Sequence, residues 1–281
     1  MCLPETFETV QRRVEEEGVP HVDRRTLLLG GAAAAAAAAF PGVAEARTIP
    51  ANRVQDLTHV FRAGFPIYGT PPTFNSPTMH TVVNVVPDGF YGQEWTFWEH
   101  SGTHMDAPGH FVAGGRFSPD ITARELIAPI VVIDISSRVA ANNDAMVMPD
   151  DLRRFERRHG RIPRRAIVAM YSGWESRVGD AAAFRNPDAI GTLHFPGWSG
   201  EAVQWLLDRR RITGIGVDTL SLDPGNSTSF DAHLTILRAN KYGIENLANL
   251  KKIRPRGATA FIGLIPWEAG SGGPLRAIAI W

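Results

Sequence analysis

The chain has 281 residues, 44% of them hydrophobic and 21% charged, which is ordinary for a globular protein and enough for one large domain or two small ones. Its 29 basic and 29 acidic side chains give a formal charge of zero. Basic residues cluster only in short local runs, with pairs such as Arg153-Arg154 and Arg157-Arg158 reading as the solvated face of a helix, so the balance points away from nucleic acid.

In chain order, the first feature is Arg24-Arg25-Thr26-Leu27-Leu28-Leu29-Gly30-Gly31, continued by Ala32 to Ala39 and Phe40. It reads as a twin-arginine export signal whose apolar part falls short of the roughly 20 residues a spanning helix needs. Ala44-Glu45-Ala46 offers a cleavage site. The expectation is a removed leader over 1–46 and a periplasmic or secreted chain over 47–281, with no membrane contact after cleavage. The acidic start (Glu5, Glu8, Glu15, Glu16, Glu17, Asp23) departs from the usual basic one and leaves an uncleaved anchor or alanine-rich tail as the alternative. The one cysteine, Cys2, leaves with the leader, so no intramolecular disulfide or thiolate metal site is available afterwards.

Arg53 to Phe61 reads as a first strand or strand pair. Residues 62–80, rich in Gly and Pro, read as a long loop whose Phe65 and Tyr68 would either cover an apolar substrate or pack on the core. Thr81 to Val86 and Glu94 to Glu99 read as strands, the second delivering His100. The stretch from Glu99 to His110 then holds three of the nine histidines and an aspartate: His100, His104, Asp106 and His110. Imidazole and carboxylate are the ligands of zinc, manganese or iron, and a catalytic site needs about three of them plus an open position. A straight strand would hold His100 and His104 roughly 13 Å apart, so the chain must bend between them, and Gly102 can supply the bend. A tight turn and a short irregular segment are expected there.

Beyond it, Ile130 to Ile135 and Ala166 to Tyr171 read as strands buried on both faces. Pro149 to His159 reads as a helix, with Pro at its start, Asp150 and Asp151 in the first turn and Gly160 past its end. Ser199 caps another that runs to about Arg210, and Ile212 to Val217 is a strand. Strands alternating with helices indicate a mixed α/β domain. Phe230-Asp231-Ala232-His233 opens a short helix, and Glu245 follows twelve residues later.

The run from His100 to His110 resembles the His-x-Gly-Thr-His-x-Asp-x-Pro-x-His motif of the cyclase family of metal-dependent hydrolases, which includes isatin hydrolase and bacterial kynurenine formamidase. His233, Glu245-Asn246-Leu247 and the Gly270-Ser271-Gly272-Gly273-Pro274 turn resemble it too. The resemblance implies a swivelling β/β/α single domain with a barrel-like mixed sheet. It implies a divalent ion, Mn²⁺ or Zn²⁺, one or two per subunit, on His100, His104 and Asp106, with His233 and Glu245 completing a second metal site or orienting water. The ion would acidify a water that attacks an amide or lactam carbon, and His110 would carry the proton to the departing nitrogen. A small aromatic amide is the implied substrate, isatin-like, with kynurenine formamidase activity or a non-catalytic metal- or ligand-binding role as alternatives. Phe65, Tyr68, Trp95, Phe97, Trp98, His194 and Ser221 are candidates for the substrate pocket, and a homodimer or homotetramer is expected.

Overall fold

A computed structural model of the chain describes residues 53–69 and 74–281, and Arg12 by itself. Apart from Arg12, the expected leader lies outside the described residues. Among these, no helix is long and apolar enough to cross a membrane.

The strands are β1 (Val54–Asp56), β2 (Thr78–Val83), β3 (Gly92–Thr96), β4 (His104–Asp106), β5 (Ile127–Asp134), β6 (Met146–Val147), β7 (Ile167–Tyr171), β8 (Gly197–Trp198), β9 (Gly214–Val217), β10 (Tyr242–Glu245), β11 (Ala258–Leu264) and β12 (Gly272–Ile280). The main sheet runs β1-β12-β11-β5-β7-β9-β10-β4, and β4 pairs back onto β12. Seven strands therefore close into a mixed barrel, with β1 added at β12. This is the expected barrel-like mixed sheet.

Strand alternation builds two cores. From β5, Ala128, Ile130 and Val132 point into the barrel, where they meet Met105, Ile167, Ala169, Ile244, Ala260 and Ala277. Val131 and Ile133 point outward, with Val168, Met170, Ile215 and Val217, against the helices. Alanines and aliphatic side chains share the barrel interior, while the sheet–helix layer also takes Phe155, Trp174 and Trp198. That double burial is why these strands read as continuous apolar runs.

The covering helices are α1 (Pro149–His159), α2 (Gly200–Arg209) and α3 (Asp231–Arg238). Gly160 ends α1 at φ 85, and Ser199 Oγ accepts the Ala202 N–H at the start of α2, both as expected. Leu152 and Phe155 of α1 and Val203 and Leu206 of α2 enter the outer core. Truncating a fully buried leucine such as Leu206 costs about 2–5 kcal/mol.

β2 and β3 form a two-stranded hairpin that is a compact unit of its own, in which His80 Nε2 faces Glu94 at 3.4 Å. Its strands differ from the expected bounds. Val85–Asp88 makes a turn, tightened where Asp88 accepts the Asn84 N–H, so β2 stops at Val83. β3 stops at Thr96, because Phe97 and Trp98 break the alternation: Phe97 packs on Phe61 and Trp267, and Trp98 on Phe74. His100 therefore arrives on irregular chain. His104 to Asp106, expected to be irregular, are instead a strand, because β10 and β12 flank them on both sides.

Candidate active site

β4 is the element around which the site is built. Its register sets Glu245 opposite His104, Ile244 opposite Met105 and Gly243 opposite Asp106. Met105 points into the barrel, so His104 and Asp106 share the outer face with Glu245. His100 reaches that face through a bend at Gly102, whose φ of 69 is the left-handed value expected of it. Its ring then lies against β12 at Gly272, where a Cβ would stand 2.8 Å from His100 Cε1 and 2.1 Å from the Met105 carbonyl. His110 follows on the single turn Pro108–His110, stacked on His100 with ring centroids 3.8 Å apart.

His233 comes from the first turn of α3, and Asp223 places it. One Asp223 oxygen accepts the Ala232 N–H at 2.7 Å, while the other accepts the His233 N–H at 3.1 Å and His233 Nδ1–H at 2.6 Å. Asp223 thus satisfies free helix-start donors and turns His233 Nε2 toward the site. His104 Nδ1–H donates to the Gly102 carbonyl at 2.9 Å, and His100 Nε2–H to Ser271 Oγ at 2.9 Å. Ser271 in turn donates to Glu99 at 2.5 Å.

With one nitrogen of each ring tied back, the others converge on Asp106. His100 Nδ1 is 2.6 Å from Asp106 Oδ1, His104 Nε2 3.4 Å from the same oxygen, and His233 Nε2 3.3 Å from Oδ2. Glu245 lies across them, 3.3 Å from His104 Nε2 and 3.1 Å from His233 Nε2. Among the described residues, two groups of donors can hold an ion, His100, Asp106 and His110, and His104, Asp106 and Glu245, with Asp106 common to both.

His104 Nε2 and Asp106 Oδ2 are buried and have no hydrogen-bond partner, since their contacts lack hydrogen-bond geometry. A buried polar atom left so costs about 1–3 kcal/mol. Two such atoms of opposite character on one floor, amid imidazoles and carboxylates, fit a divalent cation.

Without an ion, protons take its place. Burial alone would lower His104, but Asp106 and Glu245 overcome it and raise the imidazole to about 10. Burial opposes His233 as well, and Asp106, Asp223 and Glu245 raise it well above its usual value. His110 makes no ion pair of this kind, and burial pushes it down to about 4, below the 6.5 of an exposed imidazole. It is a neutral base at physiological pH.

Above this floor lies a cavity of about 390 Å³ whose walls include Ile67, Tyr68, Phe74, Trp98, Phe111 and Phe230. Ser221 also lines it. Tyr68, Trp98 and Ser221 are thus where a pocket role requires them. Phe111, directly after His110 and not among the expected pocket residues, stacks on His233 with ring centroids 4.8 Å apart. Three other expected pocket residues are not lining residues. Phe65 is buried against His59 in the loop's own packing, and Trp95 lies on hairpin strand β3. His194 Nδ1 pairs with Asp144 at 2.8 Å and Nε2 faces Asp188 at 3.5 Å, so both ring nitrogens are taken up by these two carboxylates. Phe97, also considered, packs on Phe61 and Trp267. Asp223, Ser271 and Glu99 have no role assigned from the sequence, because Asp223 and Ser271 meet their rings only in the fold and Glu99 acts through Ser271.

The Cyclase family model matches residues 55–224. The chain is similar to isatin hydrolase of Roseibium aggregatum, 36% identical over 241 residues that make up 81% of this chain and 91% of that protein. It is 30% identical to kynurenine formamidase of Paracidovorax citrulli, over 64% of this chain and 74% of that one. In structure it resembles isatin hydrolase A of Ralstonia solanacearum, with a TM-score of 0.76 and 34% identity over 92% of this chain and 97% of that chain. An isatin hydrolase bound to the product analogue thioisatinate gives the same TM-score at 31% identity, over 92% and 99%.

Proposed function

The chain belongs to the cyclase family, and on that footing we propose that it is a metal-dependent hydrolase opening a cyclic amide C–N bond, with an isatin-like bicyclic lactam as substrate. The observation that carries the reading is the pair of buried polar atoms without a hydrogen-bond partner, His104 Nε2 and Asp106 Oδ2, on the floor of an aromatic-walled cavity. His100, His104 and Asp106 would hold Mn²⁺ or Zn²⁺, and His233 and Glu245 would complete a second metal site with Asp106 or, with one ion, orient water and substrate. When bound, such an ion lowers the pKa of water and polarises a carbonyl.

The chain's own residues supply the rest. Phe74, Trp98, Phe111 and Phe230 hold a flat ring and exclude water, leaving the amide over the polar floor. His110, neutral and stacked beside His100, accepts a proton from water and returns it to the departing nitrogen. Asp223 and the Ser271–Glu99 pair keep the ligand rings in the required orientation.

The test is hydrolysis of isatin and of N-formylkynurenine by protein stripped of metal and reloaded with Mn²⁺ or Zn²⁺. Metal-dependent loss of isatin is expected. Turnover of N-formylkynurenine alone would transfer the assignment to kynurenine formamidase, and turnover that survives stripping would defeat the metal assignment. Family membership also supports a homodimer or homotetramer, which sedimentation equilibrium would read. Residues 24–46 support export, and the expected periplasmic product begins at Arg47 by N-terminal sequencing.

A further inference from the structure

We propose that an arginine-lined groove at the start of the parallel strands binds a small molecule carrying two or more phosphate or carboxylate groups, at a site separate from the metal-ligand cluster. β7 and β9 pair in parallel with Ile167 opposite Gly214, so the segments that lead into them run side by side. Thr213 N–H donates to the Ala166 carbonyl at 2.9 Å, and Arg165 N–H to that of Arg211 at 2.5 Å. Arg161 and Arg164 are thereby set against Arg209, Arg210 and Arg211 around a groove of about 610 Å³, with Ile162, Pro163 and Leu207 among its walls.

The acids present do not balance these guanidiniums. Glu156 accepts both ends of Arg210, whose guanidinium also lies 4.7 Å from the Trp205 ring. Asp208, the acid lining the groove, takes a hydrogen bond from Gln204 at 2.7 Å. Five arginines thus face two carboxylates, an excess of three positive charges in a chain whose formal charge is zero. Glu156 is also the acid that Arg161 acts on. Arg164, Arg209 and Arg211 are exposed. The helix dipole accounts for Arg209 in the last turn of α2, but not for Arg161, Arg164 or Arg211, which lie in connecting segments.

Like charges gathered on a concave surface attract counter-ions, and the guanidinium fork matches the oxygens of phosphate and carboxylate. The volume is that of a small-ligand site, which lies at about 300–1,000 Å³. Two short segments rather than a long face carry the charge, which favours a compact anion over a polymer or a membrane.

The probe is fructose 1,6-bisphosphate, titrated calorimetrically into the metal-loaded full chain, with orthophosphate and ionic-strength-matched chloride as comparisons and phosphatidylglycerol vesicles as the lipid arm. Saturable one-to-one binding of the bisphosphate is expected, weakened at least about tenfold in the Arg164→Ala/Arg211→Ala variant, with the activity at the metal-ligand cluster unchanged. Asp106→Asn should keep the bisphosphate affinity, which separates this groove from the cluster. Equal binding by the double variant, or no saturable binding by the wild type, would overturn the proposal. Vesicle capture without bisphosphate binding would overturn the small-molecule assignment.

Discussion

The parallel strands β7, β9 and β10 carry opposite chemistry at their two ends. Where β10 ends, Glu245 joins His104, Asp106 and His233, all nearly inaccessible to water and each in contact with an opposite or complementary partner. Where β7 and β9 begin, arginines stand exposed and in excess over their acids. Charge at the buried end is coupled, so altering one group disturbs the others. Charge at the open end is screened by salt and acts nearly independently. The same sheet thus supports a site that depends on exact donor placement and a surface that depends on summed charge.

The largest effect should come from breaking the buried end at its centre. Asp106→Asn keeps the shape and removes the charge on which three imidazoles converge. Metal content by mass spectrometry should fall to background, and turnover by about a thousandfold or more. His110→Ala should retain its metal and lose about 10²–10⁴ in kcat, the usual range for a general acid–base group. A variant that loses its metal instead would make His110 a ligand, a place its distance to His100 and Asp106 allows.

The pH dependence follows from the proton-filled floor. In the metal-free protein His104 is raised to about 10 and His233 well above its usual value, so both are protonated at neutral pH. Their pairing stabilises the metal-free fold fully below the unfolded histidine value of about 6.5 and is lost as pH rises through the folded values. An ion on His104 needs that imidazole neutral and must displace at least its proton. Apparent metal affinity should therefore rise at least about tenfold per pH unit near neutrality, read by chelator competition. A pH-independent affinity would show that His104 is not a ligand.

A smaller loss is expected one layer out. Ser271→Ala cuts the link from His100 to Glu99 without touching a ligand, and metal affinity should drop about 10–100-fold. Ser271→Thr, which keeps the hydroxyl, should restore most of it. Equal loss in both would point to crowding at the turn instead of a lost hydrogen bond.

What could be read from sequence divides along a similar line. His100, His104, Asp106 and His110 stand within one short run, and their spacing demanded a bend that Gly102 supplies at φ 69. Capped α1 and α2 and the doubly buried β5 and β7 were equally local signals. By contrast, β4 is three residues long, and only its pairing with β10 and β12 makes it a strand. Glu99 and Ser271 lie far apart in the chain, and the two arginine segments are joined only by the register of β7 with β9. His194 misled for the same reason: its neighbours in sequence suggested substrate, while its neighbours in space are Asp144 and Asp188.

The smallest effect belongs to the open end and is the sharpest contrast with Asp106. Arg164→Ala deletes a solvent-exposed charge from a crowded positive groove and leaves no buried partner unsatisfied. Turnover should change by less than about twofold. Relief of like-charge crowding should raise the unfolding temperature by about 1 °C at low salt and by nothing measurable once the Debye length falls to about 3 Å at 1 M. The sign is the informative part. If Arg164 were held in place by an unnoticed acid, its loss would lower the unfolding temperature, and the excess of charge on which the groove's affinity for anions depends would be smaller than the structure indicates.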